Sequence, residues 1–159
     1  MRVLRSGAWV AALVSAGLLQ VPRAQTRTSG HVSDRERLIG AWHLVHIESP
    51  GPDSQAGAPE PKGMLIYTQD GHVSVQLMYP GAARSLSNEY VRGGYEASFG
   101  SFTINERTHT LTHHVLGSVT GDQLVGKDLA RRYTLTDDGR LILRSANPEE
   151  HWSATWQHY

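Results

Sequence analysis

The sequence predicts an all-β protein, an antiparallel up-and-down barrel of eight strands with short helical segments. Three observations predict it. First, Met64-Leu65-Ile66-Tyr67 and Val73-Ser74-Val75-Gln76-Leu77 are β-prone runs on either side of Gln69-Asp70-Gly71, a turn that Gly71 can close with a positive φ. Second, Asp137-Asp138-Gly139 repeats that turn chemistry between two more such runs. Third, the 16 glycines and closely spaced turn signals leave few long helical patterns. A lone hairpin is barely stable in water, so these belong to a larger sheet, and a meander of eight strands protects its edges best by closing.

The 159 residues suggest one folded domain. Residues 1–24 have the layout of a signal peptide: a basic start at Arg2 and Arg5, an apolar run from Ala8 to Leu19, and Ala24 as the cleavage point. The expected location is therefore secreted or periplasmic. The run is short for a membrane span and no second one follows, so no integral span is expected after signal removal. With no cysteine, export requires no disulfides. Losing Arg2, Arg5 and Arg23 would leave 12 basic against 15 acidic residues, which excludes electrostatic capture of nucleic acid.

Residues 25–37 are expected to be a polar lead-in with a short helix. Ser33 followed by Glu36 is a capping-box pattern, and the helix leads into a first strand at Gly40–Glu48. Ser49 to Pro61, with four prolines, is a loop. In the hairpin that follows, a three-residue loop pairs Thr68 with His72 and puts Leu65, Tyr67, Val73 and Val75 on one face. A two-residue loop would swap the faces of the Met64–Thr68 strand. The three-residue form is favoured because Gly71 then sits at the left-handed bulge position. Ser85 to Glu96 has some helical character, weakened by Gly93-Gly94. Strands follow at Phe99–Ile104, Thr110–Leu116, Asp128–Thr136, Leu141–Arg144 and His151–His158.

Leu38-Ile39-Gly40-Ala41-Trp42-His43-Leu44-Val45 resembles the opening Leu-Ile-Gly-Thr-Trp-x-Leu-Val of bacterial and fungal lipocalin-like domain proteins. Pro61-Lys62-Gly63 with Tyr67-Thr68-Gln69-Asp70-Gly71 is similar to their Pro-x-Gly and Tyr-Thr-x-Asp-Gly hairpin. Gly94-Tyr95 to Ile104, Thr112-His113-His114-Val115 and Trp156 match later segments in order. The resemblance spans residues 38–159 almost entirely and implies a lipocalin-like barrel. It implies more about fold than activity, since the family has little established biochemistry.

An eight-stranded barrel has room inside for side chains or one small ligand. The expected partner is a small apolar molecule, with Trp42, Tyr67, Val75, Tyr95, Phe99, His113, Arg131 and Trp152 as candidate contacts. Trp42 would point inward at one end, as the resemblance implies, with Arg131 the better basic residue to cover its ring. His113 shares a face with Leu111 and Val115, and Trp152 with Ala154 and Trp156. The nine histidines give no metal site on spacing. His43 and His46 fall on opposite faces of a regular strand, adjacent His113 and His114 diverge, and no cysteine is present. No cofactor motif occurs. Three readings stand open: a small-molecule binder, a cofactor-free isomerase or cyclase using His113 or Tyr67, and a packed barrel without a ligand.

Overall fold

The computed structural model describes residues 32–48, 60–80 and 89–159. The expected signal peptide, most of the lead-in and most of the Ser49–Pro61 loop lie outside these residues.

The chain begins with helix α1 (Asp34–Leu38). The Ser33 side chain accepts from the Glu36 amide and the Glu36 carboxylate accepts from the Ser33 amide, so the capping box forms as the sequence predicts. Eight strands follow: β1 (Gly40–Glu48), β2 (Lys62–Tyr67), β3 (His72–Met78), β4 (Tyr95–Asn105), β5 (Thr110–Ser118), β6 (Asp128–Leu135), β7 (Arg140–Ser145) and β8 (Ser153–His158). Each pairs antiparallel with the next, and β8 returns to β1, closing the barrel.

The hairpin register is the one with a three-residue loop. Tyr67 pairs with Val73 and Leu65 with Val75, while the Thr68 amide donates to the His72 carbonyl. Gly71 takes φ +93°, and Gly139 takes φ +79° in the equivalent β6–β7 turn. The two turns share a Thr-x-Asp-Gly device. The Thr68 and Thr136 hydroxyls donate to Asp70 and Asp138, and accept the amides of His72 and Arg140.

Strand alternation sends Leu65, Tyr67, Val73, Leu77, Phe102, Leu111, Tyr133, Leu141, Leu143, Ala154 and Trp156 into one buried core. Helix α1 seals one end. Arg35 donates to the Gln69 carbonyl of the β2–β3 turn and its guanidinium lies 5.0 Å from the Phe102 ring centroid. The Arg35 amide donates to Glu106 of the β4–β5 turn, and Arg37 donates to Thr136 of the β6–β7 turn. Tyr133 donates to Asp34 at 2.8 Å. The β5–β6 connection, with a 3-10 turn at Asp122–Leu124, and the β7–β8 connection lie at the opposite end.

Two expectations change. Ser85 to Glu96 is not a helix where it is described: Arg92 bridges Tyr95, and Tyr95-Glu96 open β4. Gly93 and Gly94 at φ +61° and +81° turn the chain instead. The parity of β1 also shifts. A bulge between Leu44 and His46 brings Ile47 inward with Leu44, so His43 and His46 both lie on the outer face. Outside, His43 packs against Tyr159 and His46 against Glu60.

Candidate functional site

The interior divides into a packed floor and a polar upper part. On the floor, Trp42 is 1% exposed. Its indole N–H donates to the Leu38 carbonyl at 2.9 Å, and the His158 ring lies 3.6 Å from its own. Arg131 does not cover it, contrary to the sequence expectation. His158 occupies that face, held through its ring nitrogen by the Arg37 carbonyl at 3.2 Å.

Above the floor, β2 and β5 bring together two expected site residues. The Tyr67 hydroxyl and His113 Nε2 are 2.8 Å apart and buried, with the Phe102 ring edge-on to Tyr67. Burial lowers the His113 pKa to about 3, with the Arg131 charge and His114 acting in the same direction. Burial raises the Tyr67 pKa, opposed by Arg131. Both groups are therefore neutral at pH 7, and the phenol can donate to Nε2 when the imidazole proton is on Nδ1.

Arg131 projects inward from β6 with Leu129 and Tyr133 as expected, and is 7% exposed. Its guanidinium sits 4.9 Å from the Trp152 ring and 5.4 Å from the Tyr90 ring. One of its N–H groups donates to the Ala130 carbonyl at 3.3 Å. Among the described residues it has no ion-pair partner. Glu150 steadies both rings, accepting from the Trp152 indole at 3.0 Å and from the Tyr90 hydroxyl at 3.3 Å. Cation–π contact of this kind contributes about 0.5–2 kcal/mol.

Val75 faces inward opposite Ser98, and Leu77 opposite Glu96. Burial raises the Glu96 pKa to about 7, with Arg131 pulling it back. Protein surrounds that carboxyl, yet the residue keeps some solvent-accessible surface. Trp156 reaches across the interior towards Gly63, where an added Cβ would lie 3.3 Å from its ring. Its indole N–H is buried without a hydrogen-bond partner among the described residues.

Tyr95 and Phe99 are not in the interior. Inward Ser98 and Gly100 flank Phe99, so alternation turns it out, and it is 52% exposed. Its ring lies across Gly117, where a Cβ would come within 2.4 Å of it. With Met64, Met78, Tyr95 and Tyr159, Phe99 lines an outer groove of about 580 Å³. Sequence reasoning missed Glu96 and Ser98, although inward Phe102 and Ile104 fix their parity. It also missed Tyr90 and Glu150, which come from connections with no periodic signal. No group of three His, Asp or Glu side chains among the described residues is placed to hold a metal ion. No helix among them is long and apolar enough to cross a membrane.

The lipocalin-like domain model matches residues 39–158. The chain belongs to the lipocalin-like domain family. That match covers the barrel from the end of α1 to the last residue of β8. Among solved structures, the siderocalin Ex-FABP, described as functioning through dual ligand specificities, is similar at 11% identity and a TM-score of 0.31. The alignment covers 77% of this chain and 71% of that one. No curated protein matches.

Proposed function

We propose that this lipocalin-like protein is exported and binds a small, mostly apolar molecule inside the barrel. The observation that carries the binding reading is the upper interior. Val75 and Leu77 supply apolar wall beside Ser98, Glu96 and Arg131, and Glu96 is enclosed yet still reached by solvent. Burial of apolar area at about 25 cal/mol per Å² would supply the affinity, and the few polar groups would orient the guest. The Trp156 N–H, without a partner among the described residues, is one such donor.

The isomerase or cyclase reading has less support. Tyr67 and His113 satisfy one another, and burial makes the imidazole a weak base and the phenol a weak acid.

N-Phenylnaphthylamine, whose emission rises in apolar sites, tests the binding. We expect saturable enhancement with the folded protein and none with the urea-denatured chain. Ser98→Phe, which fills the interior, should weaken it about tenfold or more, a loss of about 1.4 kcal/mol. Phe99→Ser, on the outer groove, should leave it unchanged. The reverse pattern would put the probe outside the barrel and defeat the proposal.

Export rests on the basic start and the apolar Ala8–Leu19 run. Protein recovered outside the cytoplasm should begin at Gln25, and an intact Met1 there would contradict it.

A further inference from the structure

We propose that the barrel selects, among small apolar molecules, those bearing a carboxylate, and that Arg131 is the residue that selects them. This rests on the binding reading above and specifies its ligand class.

Arg131 is the buried cation of the described interior, and no carboxylate of the described residues pairs with it. Glu96 and Glu150 act on it as nearby charges without forming an ion pair. Burying a guanidinium with no carboxylate against it is costly, and a strand position inside a barrel has no need of a charge for closure. The Trp152 and Tyr90 rings lie against the guanidinium, and Glu150 holds both rings in place. Ring contact of this kind supplies no carboxylate-like acceptor to the N–H groups. At the edge of the planar group, the N–H fork matches the two oxygens of a carboxylate. The Ala130 carbonyl takes one N–H of that edge and the Tyr90 hydroxyl draws on another. A guanidinium carries five, so among the described residues donors remain for a guest.

The two acids nearest in role do not take the place of a guest. Glu150 accepts from Trp152, Tyr90 and Asn147, so its oxygens are committed to the rings and the β7–β8 connection. Glu96 shares the interior without an ion pair to Arg131, and its raised pKa leaves it about half protonated near pH 7. A carboxylate guest would therefore find a preformed, partly desolvated cation with aromatic walls. The Trp156 N–H is a second donor in the same interior that lacks an acceptor among the described residues. A neutral apolar guest would leave both unmet.

The test compares dansyl-aminoundecanoic acid with its methyl ester by fluorescence titration at about pH 6.5, where the acid is ionised and Glu96 keeps much of its proton. The two differ only in the charged end. In the native protein the acid should bind about tenfold or more tightly than the ester, the lower range for a hydrogen bond to a charged group. Arg131→Met should lower the acid affinity more than the ester affinity, so that the preference disappears, and Arg131→Lys should keep part of it. Equal binding of acid and ester by the native protein overturns the selection and leaves the binding reading standing. Absence of binding by both, with N-phenylnaphthylamine also unbound, overturns the two together. Loss of acid and ester alike in Arg131→Met, with a native circular-dichroism spectrum, makes Arg131 a wall residue and also overturns the selection.

Discussion

Tyr67 and His113 stand at the centre of the interior, each the other's polar partner. Tyr67→Phe keeps the ring and its edge contact with Phe102 but leaves Nε2 of a buried imidazole without a partner. We expect a loss of about 1–3 kcal/mol, read as a lower urea midpoint with an unchanged slope. A midpoint within error of the native protein would show that the hydroxyl and imidazole are satisfied elsewhere. Both residues were legible in the sequence because alternation fixes their side of the sheet: Tyr67 travels with Leu65, and His113 with Leu111 and Val115. The same rule turns Tyr95 and Phe99 outward once Phe102 and Ile104 are taken as inward, and it would have found Glu96 and Ser98. The partner of Trp42 was not legible. Choosing His158 over Arg131 depends on where the last strand ends relative to the first, a distance no local pattern encodes.

Turns and bulges behave differently as elements. The two Thr-x-Asp-Gly turns were readable because their chemistry is local: a hydroxyl to a carboxylate, an amide to a hydroxyl, and a glycine at positive φ. Gly139→Ala should cost about 1 kcal/mol, since a Cβ there meets nothing within 4 Å and only the backbone is strained. Gly100→Ala should cost more, above about 2 kcal/mol, for a different reason. Its Cβ would sit 2.0 Å from the His114 carbonyl oxygen, a backbone atom of the paired strand that cannot swing aside. Thermal unfolding of the two variants checks the order, and equal losses would contradict the close approach. Gly100 adjoins the irregular step where β4 meets β5, and the β1 bulge makes a similar step against β8. Neither irregularity was readable. Each depends on the register of a neighbouring strand, and the one in β1 was enough to put His43 and His46 on the same side.

For the whole molecule, two buried groups of the upper interior, His113 and Glu96, set opposing responses to pH. His113 has a folded pKa of about 3 against 6.5 for the free side chain. Its neutral burial therefore gives stability that is complete above pH 6.5 and is lost as pH falls towards 3. Glu96 has a folded pKa of about 7 against 4.5, so its contribution is complete below pH 4.5 and is lost as pH rises through 7. The two trends partly cancel between pH 4.5 and 6.5. Groups facing this pair enter with known sign: Arg131 lowers both pKa values, His114 adds to the fall at His113, and the Tyr67 phenol stays neutral across the range. Glu96→Gln removes one trend, so its melting temperature should drop more steeply than that of the native protein from pH 6.5 to 4.5. Adding His113→Gln should flatten the drop, because the proton that the unfolded chain takes up at that position is gone. Each tenfold change in proton affinity is worth about 1.4 kcal/mol, so the His113 contribution amounts to a few kcal/mol, enough to move the curve by several degrees. Parallel curves for the single and double variants would mean that the imidazole is protonated inside the fold, and Tyr67 and His113 could not then form a neutral pair.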